Sequence, residues 1–264
     1  MLGMFRALWA YRGFIAGNVK REFQSKYRNS LLGAAWNVLN PLSMIIIYTV
    51  IFSQVMRTKL PGVDGTFAYS IHLCAGVLTW GLFAEIVSRG QNTFIDNGNL
   101  LKKLNFPRLC LPVIVVANGL VNFAIIFGLF TAFLIATGNF PGLPFLALLP
   151  VLLVMVAFAI GLGITLGVLN VFFRDVGQFF GIFLNFWFWI TPIVYPASIL
   201  PERLRALMWL NPMATLVEAC QTILVQGAWP DWSRVAGVAV LSAALCALGL
   251  RLFRKHAGEM VDEL

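Results

Sequence analysis

Charge is what this sequence has least of. Only 11% of its 264 residues are Asp, Glu, Lys or Arg, against roughly 25% in a soluble domain. The apolar share is 59% and the mean hydropathy +0.84, which excludes an ordinary water-soluble globule. Cysteine is also sparse. Cys74, Cys110, Cys220 and Cys246 lie far apart and form no CxxC pair, so neither a zinc knuckle nor a dithiol redox motif is supported. They read as small residues inside helices. Two histidines, His72 and His256, are too few for a multi-histidine metal site within one chain. Catalytic patterns are missing as well. There is no GxxxxGKS, GxSxG or HExxH, and no carboxylate pair at useful spacing, so the chain is not expected to be an enzyme by itself. Arg6 and Arg12 interrupt the first fifteen residues with no small-residue cleavage site after them, and no secretory leader is expected.

Long apolar runs are what is there. A membrane-spanning helix needs about 20 mostly apolar residues, and the sequence supplies such stretches at roughly 32–56, 70–88, 111–137, 145–171, 177–195 and 235–254. They are apolar all round rather than alternating, which excludes a β-barrel. The expected fold is all-α, a polytopic protein of six spans with both termini on one side. If that side is cytoplasmic, 14 of the 19 Lys and Arg face inward, as the positive-inside rule requires. The net charge of +8 therefore calls for no nucleic acid.

Residues 1–28 are not a span. Phe5, Leu8, Trp9, Ile15, Ala16, Val19 and Phe23 recur at spacings near three and four, with Arg6, Lys20, Arg21 and Gln24 mostly elsewhere. That pattern is an amphipathic basic helix suited to the membrane interface, or to packing on a partner. Arg12 sits near the apolar stripe and must snorkel. Residues 29–264 form the transmembrane domain.

Two connections exceed minimal turns. In 89–110, Asp96 or Asn97 is placed to cap a short cytosolic helix running through Leu104, and Pro107 stops it. In 196–233, two helical stretches at 201–210 and 213–226 are split by Asn211-Pro212. They are too short to span and read as re-entrant or interfacial helices on the outer face. Glu85 is the one acidic group within a span, near its cytosolic end, and it pairs at i,i+4 with Arg89. Arg174-Asp175 reads as a turn-stabilising pair.

Several stretches resemble, in order, the permeases of polysaccharide-exporting ABC transporters. "REFQSKYRNSLLGAAWNVLNPL" (21–42) carries Tyr-Arg-x-Ser-x-Leu-Gly-x-x-Trp, "LLKKLNFPRLCLP" (100–112) carries Phe-Pro-Arg, and "FFRDV" (172–176), "FWITPIVYP" (188–196) and "LNPM" (210–213) follow. The resemblance covers 21 to about 226. It implies a six-span subunit that pairs with a second copy to form one channel in the bacterial cytoplasmic membrane. Two separate ATP-binding cassette subunits would dock on its cytosolic face. No cofactor is expected in this chain; ATP and Mg belong to the partner. The implied substrate is a lipid-linked polysaccharide such as O-antigen, with teichoic acid, capsule, lipid or drug as alternatives.

The resemblance also gives residues their expected roles. Phe186, Trp187, Phe188, Trp189 and Tyr195 would line the channel and stack on sugar rings, though the same rings suit a lipid-facing belt or internal packing. Pro192 and Pro212 would break helices so that the chain folds back. Lys26, Tyr27, Arg28 and Trp36 would form a gate meeting lipid phosphates, or a positive-inside anchor. Phe94, Asp96, Leu100, Leu101, Lys102, Lys103 and Leu104 would couple to the ATPase.

Overall fold

The computed structural model describes residues 9–25, 35–51, 65–103 and 106–263, and among these there is no strand. The helices are α1 (Arg12–Ser25), α2 (Trp36–Thr49), α3 (Ala68–Asp96), α4 (Gly98–Lys103), α5 (Cys110–Ala136), α6 (Leu148–Phe172), α7 (Asp175–Ile190), α8 (Glu202–Leu207), α9 (Pro212–Gln226), α10 (Trp232–His256) and α11 (Glu259–Glu263). A 3-10 turn, Leu143–Ala147, leads into α6. Among the described residues four helical segments are long and apolar enough to cross a bilayer: Ala68–Asp96, Cys110–Ala136, Leu143–Phe172 and Trp232–His256. These match four expected spans to within a few residues, except that α3 runs eight residues past its expected end at 88. The extension is held by packing, because Gly90 and Phe94 are buried against neighbouring helices.

Of the remaining two expected spans, the one at 177–195 is shorter than expected. α7 has 16 residues, roughly 24 Å at 1.5 Å per residue, less than the ~30 Å hydrocarbon core. It stops at Thr191-Pro192, four residues before the expected end. The first expected span is described only over 35–51, which hold α2; the rest lies outside the described residues.

α3 is the axis of the bundle, and most of its first twenty residues are buried. Lipid offers no hydrophobic drive for helices to associate, so close backbone approach must supply the packing. α6 provides it on two faces. Gly163 and Gly167 press on α3, where a Cβ on Gly167 would lie 2.8 Å from the Gly90 carbonyl oxygen. Gly161 presses on α10, where a Cβ would lie 2.7 Å from the Cys246 backbone nitrogen. Gly249 returns the contact, where a Cβ would lie 3.0 Å from the Gly161 carbonyl oxygen and from Thr165 Oγ1. The repeat GLGITLG (161–167) thus works as two interleaved small-residue seams.

Contacts sort the connections into two ends. At one end Phe94 stacks on Phe253, Phe172 packs on His256, and Arg108 donates to the Ala257 carbonyl. At the other Phe67 meets Phe133, and Gln221 meets His72. The tight turn expected from Arg174 and Asp175 is held differently. Among the described residues no ion pair joins them; Asn170 spans the turn instead, accepting from the Gly177 N–H at 2.8 Å and donating to the Gln91 carbonyl. A neutral amide bridging three elements avoids burying charge. Pro212 does not interrupt a helix but opens one, at the first turn of α9, where its missing N–H costs nothing.

Candidate functional site

The polar groups gather at the two ends of the bundle. At the end bearing α4, α1 lies along α5, and a cleft of about 530 Å³ opens between α1, α3 and α5. Its lining is mainly polar and includes Asn18, Arg21, Glu22, Arg89, Asn92 and Asp96. Arg89 joins the cleft to the span. It bonds Glu22 of α1 and lies 3.5 Å from Glu85 one turn away. Asn118 donates to Glu22, and Asn122 donates to Glu85 at 2.9 Å. Each carboxylate thus meets the same guanidinium and its own α5 amide. The Glu85–Arg89 pair is the expected one; Glu22, Asn118 and Asn122 are additions. For Asn118 and Asn122 the signal in sequence was faint: polar residues one turn apart in an otherwise apolar span. Arg12, expected to snorkel, lies over the Trp9 ring at 5.3 Å and bonds the Trp9 carbonyl.

The groups expected at the ATPase surface divide. Phe94 and Leu101 are buried in a cluster with Leu111, Val171 and Phe253, so they hold α3 and α4 to the bundle. Leu100 is half-buried, while Asp96 and Lys102 are exposed. Asn97 breaks the helix between α3 and α4, and its side chain turns back to the Thr93 carbonyl rather than capping forward. Leu104 and the side chain of Lys103 lie outside the described residues, as do Lys26, Tyr27 and Arg28 of the expected gate; Trp36 is half-exposed on α2.

At the other end the chain breaks. Thr191 ends α7 in an extended conformation, and Pro192 offers no N–H to continue the ladder. The loosened backbone acceptors are bonded individually. Thr191 Oγ1 donates to the Trp187 carbonyl, and the Tyr195 hydroxyl donates to the Trp189 and Ile190 carbonyls. Gln221 of α9 sets its amide nitrogen 3.3 Å from the Pro192 carbonyl and 3.5 Å from that of Ile193. Asn211 ties the segment to α9. Its Oδ1 accepts from Trp187 Nε1 at 2.8 Å and from the Met213 and Ala214 N–H groups, and its amide donates to Thr191 Oγ1. Gly227 closes α9 in the left-handed region at φ 60°. Asp231 opens α10 by accepting from Ser233 and Arg234. The Ser233 hydroxyl foremost, then the Arg234 and Ser233 N–H groups and the Arg234 charge, hold its carboxyl below the usual range. Sequence reasoning placed Asn211 at the split between two helical stretches but missed the bonds its side chain and that of Gln221 make, although an Asn before Pro at a helix start is a capping signal.

The five aromatics also divide. Trp187 is packed among Trp80, Phe83, Phe158 and Phe183, and Phe188 packs on Trp80. Phe186 and Trp189 face outward, 65% and 64% exposed. Tyr195 is engaged with its own backbone. One helix cannot turn four consecutive rings to one side.

These features define a class: a helical membrane protein whose polar groups sit at the two ends of an apolar bundle, one end clefted beneath an N-terminal helix, the other broken at Thr191-Pro192 and tied to α9. The particular family follows from comparison. The ABC-2 type transporter family model matches residues 15–225, and the chain belongs to that family. It is 32% identical to the O-antigen export system permease protein RfbA of Myxococcus xanthus over the whole length of both chains. It is 28% identical to the protein of the same name in Klebsiella pneumoniae, covering 89% of this chain and 88% of that one. To the polysialic acid transport protein KpsM of Escherichia coli it is 21% identical, over 91% and 92%.

Proposed function

We propose that this chain is the membrane subunit of an ATP-driven exporter that moves a lipid-linked polysaccharide of the O-antigen kind across the bacterial cytoplasmic membrane. The observation that carries this reading is its end-to-end similarity, at 32% identity, to an O-antigen export permease. The lower identity to a polysialic acid transporter makes capsule the second choice. In this reading the chain crosses the membrane six times, with α2 and α7 completing the four longer spans and both termini in the cytosol. α1 lies in the cytoplasmic interface, and α8 and α9 are re-entrant on the outer side. Two copies form the channel, and the outward rings Phe186 and Trp189 face the polymer. A flat ring grips sugar faces without fixed hydrogen bonds and so lets a chain slide. Two ATPase subunits, which bring ATP and Mg, meet the exposed residues Asp96 and Lys102 and move the bundle as a rigid body through α4.

The test is copurification from the native host in mild detergent, with ATPase activity assayed on the product and surface polymer measured in a deletion strain. A P-loop subunit at one per permease, with polymer lost on deletion, is the expected result. A permease that purifies alone, with surface polymer unchanged on deletion, refutes the reading. Charge reversal at Lys102 and Lys103 is expected to weaken the association; intact copurification and export would remove α4 from the coupling role.

A further inference from the structure

The folded-back end carries a second cleft, distinct from the exposed rings of α7. Two cavities of about 240 and 430 Å³ adjoin there and share Ala197, Ser198 and Glu218. Each is modest, but together they fall in the range of small-ligand sites, roughly 300–1,000 Å³. The smaller is floored by His72 and Gln221 and walled by Thr222 and Gln226 of α9. The larger is bounded by Arg205, Trp209 and Arg234.

The chemistry of this lining selects one kind of ligand. A free anion would meet the Glu218 carboxylate; a cation would meet Arg205 and Arg234. An apolar molecule would leave the amides and hydroxyls desolvated without partners. Among the described residues the side chains of Ser198, Thr222 and Gln226 make no hydrogen bond, and Glu218 has only one loose ion pair, with Arg234 at 3.5 Å. Neutral donors and acceptors, a carboxylate with spare lone pairs and a flat ring at the mouth, Trp209 at 71% exposure, are complementary to vicinal hydroxyls and the face of a sugar ring.

We infer that this cleft is a glycan-binding subsite that holds sugar residues of the polymer as they emerge. The inference rests on the polysaccharide reading above. The cleft lies against Pro192 and Pro196, in the segment that follows α7 and its exposed Trp189 in the chain. Binding there opposes backward slippage while the transporter resets between ATP cycles.

The experiment places a photo-cross-linking amino acid at position Ser198, and in a control strain at Val240, which is exposed on the apolar flank of α10. Both are expressed in the native host beside the ATPase. After illumination the permease is immunoblotted for adducts that react with antiserum to the host's own surface polysaccharide. The expected result is a polymer-shifted band at Ser198 and none at Val240. W209L should reduce that band roughly three- to tenfold, the worth of one ring contact, with permease abundance unchanged. No adduct at Ser198 in cells exporting normal polymer, or a yield indifferent to W209L, overturns the subsite while leaving the exporter standing. A deletion strain that keeps its surface polysaccharide overturns both.

Discussion

The α6–α10 seam makes a quantitative prediction. Gly161→Ala adds one methyl whose carbon would sit 2.7 Å from the Cys246 nitrogen and 3.0 Å from the Leu245 carbonyl carbon. Both are backbone atoms of a regular helix, so no side chain can rotate away. Overpacking costs about 1–3 kcal/mol, and a backbone obstacle places this case at the upper end, about 3 kcal/mol. The same change gains about 1 kcal/mol of helix propensity, leaving a net loss of about 2 kcal/mol. Gly128→Ala in α5 is the control, because a Cβ there meets nothing within 4 Å and only the gain remains. The two variants should differ by about 3 kcal/mol, a hundredfold or so in the folded-to-unfolded ratio. The assay is reversible unfolding of the purified permease in mixed micelles, followed by tryptophan fluorescence. Gly161→Ala matching Gly128→Ala in stability would refute the close crossing of α6 and α10.

Three further outcomes are expected. Asn211→Leu removes the α9 cap and leaves the Trp187 indole N–H unpaired, a loss of about 2–3 kcal/mol; limited proteolysis should cut within 196–210 in the variant and spare the parent. Arg89→Glu sets three carboxylates together with Glu22 and Glu85 and should abolish export, while adding Glu22→Arg restores part of it; surface polymer blots read both, and no rescue would mean that α1 is held to α3 some other way. Phe186→Ala with Trp189→Ala should stop export yet leave the fold intact, whereas Trp187→Ala should cost about 3–5 kcal/mol of stability; melting and export measured on the same preparations separate the two effects.

Much of the architecture was legible in the sequence because a bilayer imposes simple rules. Apolar length alone placed α3, α5, α6 and α10, since a backbone in lipid must satisfy its own hydrogen bonds. The break at Thr191-Pro192 and the start of α9 at Asn211-Pro212 came from proline's missing N–H. Where α3 ends was misjudged, because residues 89–96 are polar enough to suggest a loop and are held helical by burial of Gly90 and Phe94, which local sequence does not encode.

What only the tertiary structure decided is which face each residue shows. Four consecutive rings read alike in sequence, yet the turn of one helix buries Trp187 among Trp80, Phe83 and Phe158 and leaves Phe186 and Trp189 exposed. Glu22 and Arg89 are 67 positions apart, and Gln221 reaches carbonyls 28 and 29 positions away; no periodicity predicts such pairs. The sequence by itself determined where the four long apolar helices form and where the chain must break, because those depend on composition and on single residues. Which polar groups meet at each end depends on how the helices pack, and that is a property of the whole bundle.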